Sequence, residues 1–98
     1  MKSKVRLTIT LVAKREYADE VANQLGSRCI EVRAEPGCLQ FEIFRSVTNP
    51  NNFTLLELWS SQSALDDHAE ANKQRAPLAT EMFAAMSQRE DYEYNRTR

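Results

Sequence analysis

The sequence predicts an α+β fold in which one antiparallel sheet carries helices on a single face. Three observations predict it. Val5–Val12 alternates, with Val5, Leu7, Ile9 and Leu11 on one side and Arg6, Thr8 and Thr10 on the other, which is the period of a strand. A helical period follows at once, with Val21, Leu25, Cys29 and Val32 recurring at three- and four-residue steps. Two apolar runs, CLQFEIFRSV and FTLLELW, are then separated only by TNPNN, whose Asn and Pro residues make turns.

Each element has a local reason. The first helix is expected over KREYADEVANQLGSRCIEVRAEPG, with Tyr17 or Ala18 opening its apolar stripe. Gly26 weakens it by ~1 kcal/mol relative to Ala, and Pro36–Gly37 ends it. Cys38–Val47 is rich in aromatic and branched residues and reads as the second strand. Phe53–Trp59 is the third, so strands two and three form a hairpin. Ser60 or Ser61 can cap a second helix running to about Asn72, with Asp66 and Asp67 near its positive end. Pro77 is expected to open another short helix, with Leu78, Met82 and Met86 on one face and Phe83 beside them. In EDYEYNRTR, Tyr92 and Tyr94 alternate with charge, a short fourth strand before the tail. The order β-α-β-β-α-(α)-β is the split βαβ, ferredoxin-like arrangement. It occupies residues 1–98 as a single domain, without a repeat or linker.

Composition bounds the function. The chain has 98 residues, 42% hydrophobic and 28% charged, with net charge −1, so there is no basic stripe for nucleic acid. A domain this small buries only around 60–65% of its unfolded surface. No apolar run is long enough to span a membrane. MKSKVRLTITLVAKRE lacks a small-residue cleavage site and alternates, so it reads as a strand and not a signal peptide. The expected location is cytoplasmic. Cys29 and Cys38 form neither a CxxC pair nor a zinc framework and are expected as reduced, buried thiols.

The third strand carries the candidate site. Phe53, Leu55, Glu57 and Trp59 share one face; Thr54, Leu56 and Leu58 share the other. Helices can cover one face only, and the apolar residues on the other imply a homodimer packed sheet against sheet. If Glu57 points toward the helices, it lies under the helix bearing His68, the only histidine. A buried carboxylate needs a partner, and a carboxylate beside an imidazole fixes its tautomer. With Trp59 as a flat wall, the group suits proton transfer on a planar organic molecule. Blander roles are open to the same residues: Glu57 at solvent or paired with Arg45, Trp59 as plain core, His68 as a solvated helix residue. Other chemistries lack residues. One histidine without a cysteine cluster gives no metal set, two glycines give no nucleotide or flavin cradle, and Ser60, Ser61 and Ser63 sit where caps are needed.

EPGCLQFEIFRS followed by NPNNFTLLELWSSQSALDDH resembles the antibiotic biosynthesis monooxygenase superfamily of dimeric ferredoxin-like α+β barrels. The shared pattern is E-x-G-C-x-x-F/Y-E, a hairpin, L-L-E-x-W, then A-L-x-x-H, across about residues 35–68. The resemblance implies a homodimer with sheets packed face to face and a pocket between sheet and helices. It also implies oxidation of quinols or anthrones by O2 with no metal, flavin or haem cofactor. The protein would assist deprotonation, and the substrate carbanion would pass an electron to O2. Glu57, Trp59 and His68 match pocket positions of the family, and a branch processing a phosphorylated autoinducer-type sugar has the same Glu and His. The haem-degrading branch has an Asn, a Trp and a His where this chain has Thr8 or Thr10, His68 and a position near Leu78, which disfavours that reaction. AEANKQRAPLA is also more polar than the family's usual aromatic-bearing stretch.

The leading expectation is a cofactor-independent monooxygenase acting on a small electron-rich, quinol- or anthrone-like aromatic. His68 would exchange the proton, Glu57 would orient it and Trp59 would stack on the substrate. Phe41, Leu55, Met82, Phe83 and Met86 would line the pocket. A second expectation is an isomerase or enolising enzyme on a sugar- or keto-type ligand, favoured if arginines such as Arg6 or Arg45 converge on the pocket. A third is a non-catalytic ligand-binding dimer.

Overall fold

The computed structural model describes residues 3–93. Strand β1 (Val5–Val12) passes through a 3-10 turn (Arg15–Tyr17) into helix α1 (Ala18–Val32). The hairpin β2 (Cys38–Arg45) and β3 (Asn52–Trp59) follows, then helix α2 (Gln62–Asn72), a second 3-10 turn (Thr80–Met82) and strand β4 (Gln88–Glu93). The sheet is antiparallel with order β2-β3-β1-β4. This is the ferredoxin-like α+β arrangement expected from the sequence. No helix of the described residues is long and apolar enough to cross a membrane.

Register sorts the side chains. Phe41, Glu57 and Leu7 stand in one row across β2, β3 and β1. Ile43, Leu55 and Ile9 form the next row. α1 lays Ala18, Val21, Leu25, Cys29 and Val32 on this face, the stripe that its periodicity predicts. α2 buries Leu65 and His68, one turn apart, with Ala64 packed beside them. Its N-cap is Ser61, whose side chain accepts from the Ala64 N–H. Leu7, Phe41, Trp59 and Leu65 pack in one core cluster; Ala13, Phe53 and Met82 pack in another.

Gly37 joins α1 to β2 at φ 80°, a left-handed conformation that costs other residues. A Cβ there would come 2.5 Å from the Ala64 Cβ, so the turn presses directly on α2. A register shift between Cys38 and Gln40 then sets Phe41 opposite Glu57.

Several expectations are corrected. β2 stops at Arg45, not Val47, because the Ser46 hydroxyl accepts from the N–H groups of Thr48 and Asn49 and turns the chain. The helix expected after Pro77 does not form. That segment instead bonds the end of β1: Lys14 N–H donates to the Met82 carbonyl and Ala84 N–H to the Val12 carbonyl, both at 2.8 Å. These bonds compete with a helical ladder and hold Phe83 extended beside Ala13. β4 begins at Gln88, and Tyr94 lies outside the described residues. Cys29 is buried as expected, whereas Cys38 is half-exposed; burial raises both thiols above their ordinary pKa. The face away from the helices is mixed, with Phe44, Leu56 and Tyr92 among Thr8, Thr10, Gln40 and Glu42.

Candidate active site

Glu57 points toward the helices and is only 3% exposed. Its neighbours in the row are Leu7 and Phe41, so the carboxylate sits in apolar surroundings. Trp59, two residues on and on the same face, donates its indole Nε1–H to Glu57 Oε1 at 2.8 Å. Burial pushes the Glu57 carboxyl above the usual carboxylate range, while the Trp59 hydrogen bond and the nearby His68 and Arg89 act against that rise. Arg45 is not its partner: its guanidinium binds the Pro50 carbonyl and Asp19. The solvent-facing and Arg45-paired roles for Glu57 are thereby set aside.

His68 is likewise inside, at 8% exposure, because α2 places it one turn after Leu65 on the inward face. Its ring packs on Trp59 (centroids 4.7 Å apart, planes 31° apart) and on Phe41 (5.5 Å, 58°). The hydrogen-bond partner is Glu35, not Glu57: His68 Nδ1 lies 2.9 Å from Glu35 Oε1. Glu35 Oε2, fully buried, lies 2.6 Å from Arg75 Nη2 as an ion pair with poor hydrogen-bond alignment. Nε2 of His68 bonds no described residue. Glu35 is the site residue that sequence reasoning missed. Its signal was the first position of E-P-G-C, read there only as a motif letter.

Glu57 and His68 line one cavity of about 390 Å³ between the sheet and the helices. Its walls are largely apolar, with Leu7, Ile9, Leu25, Phe41, Leu55 and Leu65. Phe41 and Leu55 therefore take their expected place. Trp59 does not: it is 0% exposed, and its ring backs His68 and holds Glu57 instead of offering a face to a ligand. Met82 is core, packed with Ala13 and Phe53. Phe83 and Met86 line a separate groove with Leu11 and Leu78, and Met86 is 90% exposed. These three leave the site because the segment after α2 follows β1 instead of folding back as a helix.

The cavity also has a polar rim. Arg28 and Arg89 line it, with Gln62, Asp66 and Asn72. Arg6 and Arg45, the expected cations, lie elsewhere; Arg6 bonds Gln40 and the Glu57 carbonyl from the other sheet face. Among the described residues, no group of three or more His, Cys, Asp and Glu side chains is placed to share a metal ion.

An uncharacterised Synechocystis protein, sll1783, is 39% identical over 36 residues, 37% of this chain and 24% of that protein. YcnE of Bacillus subtilis, which carries a provisional monooxygenase name, is 33% identical over 57 residues, 58% of this chain and 60% of its own. The chain thus matches less than two thirds of either relative. A conserved protein from Methanosarcina mazei has the same fold, with a TM-score of 0.84 and 26% identity over 94% of this chain and 93% of that one. Residues 4–79 match the family described as antibiotic biosynthesis monooxygenase, a span that includes β1, α1, the hairpin, α2, Glu35, Glu57 and His68. The chain belongs to the antibiotic biosynthesis monooxygenase family.

Proposed function

We propose that the chain is a cofactor-independent monooxygenase of small electron-rich aromatics such as anthrones or quinols. One observation carries the reading. The only histidine is buried on an apolar cavity, with Nδ1 against a carboxylate and Nε2 without a partner among the described residues. An imidazole so held can take a proton from a bound substrate. For anthrone, loss of a proton from the central carbon leaves a delocalised carbanion. One electron passes from it to O2, and recombination forms a C–O bond as a hydroperoxide. Loss of water then gives the quinone, with one oxygen atom in the product and the other in water. Phe41 and Leu55 would hold the ring, with the Glu57 carboxyl, raised by burial above the usual carboxylate range, beside it.

The test is isotopic. Metal-stripped protein turning over anthrone under ¹⁸O₂ is expected to place one labelled atom in the quinone. Label at the level of protein-free autoxidation overturns the reading.

Arg28 and Arg89 on the rim favour a second reading, an enolising enzyme on an anionic sugar- or keto-type ligand. It uses the same His68 but no O2, so turnover that continues without oxygen selects it.

We also infer a homodimer joined through the open sheet face. Half-exposed Phe44 and Tyr92 on that face, with Leu56 between their rows, support it.

A further inference from the structure

His68 and Glu35 are 33 residues apart in sequence yet meet at 2.9 Å. We propose that Glu35, held by Arg75, is a positioning residue that fixes His68 as the Nδ1–H tautomer and leaves Nε2 toward the cavity as the proton acceptor. The proposal deepens the oxygenase reading and rests on it for the direction of proton transfer.

α1 ends in bonds that fold the chain tightly: Glu35 N–H donates to the Val32 carbonyl at 2.9 Å, and Cys38 N–H to the Glu35 carbonyl at 3.2 Å. Gly37 lets this turn touch α2 at Ala64, one turn before His68. Glu35 is thereby placed by main chain. Its carboxylate is then gripped from the segment after α2 by Arg75, which also reaches Glu31 at 3.3 Å and Asn72 at 3.4 Å. That segment is tied down again by Arg28, which donates to the Ala76 carbonyl at 2.6 Å.

The chemistry follows from what each atom can do. An ionised carboxylate only accepts hydrogen bonds, so the neutral ring facing it must carry its proton on Nδ1. The second oxygen of that carboxylate faces the Arg75 guanidinium at 2.6 Å. Nε2 then keeps its lone pair, and it is the ring nitrogen with no described partner. Trp59 and Phe41 pack on the ring and oppose a flip that would exchange the nitrogens. Glu57 is not the ring's partner: Nδ1 is met by Glu35, and Glu57 Oε1 accepts from Trp59.

One histidine in the chain makes the test direct, since selectively ¹⁵N-labelled protein gives one imidazole. At a pH where the ring is neutral, the native protein is expected to show a protonated Nδ1 and an unprotonated Nε2. Glu35→Gln keeps the size but can also donate, so the two ¹⁵N shifts should move toward a tautomer mixture. With anthrone as the probe, kcat of oxygen uptake should fall about 10²-fold or more, with KM changed far less. Arg75→Gln should move the shifts in the same direction but by less. A native Nε2–H tautomer overturns the proposal even if no variant folds. Unchanged shifts in Glu35→Gln also overturn it. If the native tautomer is as stated and Glu35→Gln shifts it, but no oxygen is consumed, the positioning stands and the oxygenase reading alone falls.

Discussion

Trp59 Nε1 donates to Glu57 Oε1 at 2.8 Å, an indole and a carboxylate two residues apart on one face of β3. Both side chains are buried, so the bond is shielded from bulk water. Removing the donor leaves a buried acceptor unsatisfied. Trp59→Phe should destabilise the fold by about 1–3 kcal/mol from this effect alone, with lost packing against Phe41 in addition. Urea unfolding of Trp59→Phe, Glu57→Leu and the double variant measures the coupling between the two. Additive changes contradict the account.

Glu57 gives stability a signed dependence on pH. Its native pKa is raised, chiefly by burial, so the folded state holds the proton more tightly than the unfolded one. This contribution is fully present below the unfolded carboxylate range and is lost as pH rises through the raised native value. Glu57→Gln keeps an oxygen for Trp59 and removes the titration. The difference between wild-type and Glu57→Gln unfolding free energies should therefore move in favour of Glu57→Gln as pH rises from about 4 to 8. A difference that is flat, or of opposite slope, rejects the assignment.

The two glycines should respond oppositely. Gly26 lies inside α1 with open space where a Cβ would go, so Gly26→Ala should stabilise by about 0.5–1 kcal/mol. Gly37→Ala combines a left-handed φ with a clash against Ala64 and Ser60, and should cost at least about 2 kcal/mol. Because that clash pushes on α2, the His68 ring signals should shift as well. Thermal unfolding orders the three proteins, and a Gly37→Ala as stable as wild type contradicts the turn described above.

The open sheet face makes a prediction about assembly. Phe44→Asp puts a charge where two sheets would meet, so light scattering should show a dimer for wild type and a monomer for the variant. A wild-type monomer at micromolar concentration removes the dimer.

Local periodicity made most of the fold legible. β1 is found at its expected bounds, α1 buries the stripe read from its spacing, and α2 starts at one of the two serines named for its cap. The segment after Pro77 was illegible for a physical reason. Its fate depends on hydrogen bonds to β1, nearly seventy residues earlier, and Met82 and Met86 at helical spacing say nothing about that competition. The site divides in the same way. Glu57 and His68 could be found because a carboxylate in an apolar strand and a histidine three residues after an apolar helix position are local anomalies. Glu35 could not, since an acidic residue at the end of a helix is ordinary until the fold sets it beside His68. Trp59 was found for the wrong reason: it supports the site from beneath and does not face a ligand.

In the proposed reaction His68 takes the proton that starts oxygen chemistry. Oxygen uptake on anthrone, by metal-stripped wild type and His68→Gln side by side, tests it most directly. Uptake well above autoxidation is expected for wild type, with a fall of about 10²-fold or more in kcat for the variant and both proteins folded. Equal rates in the two proteins would contradict it.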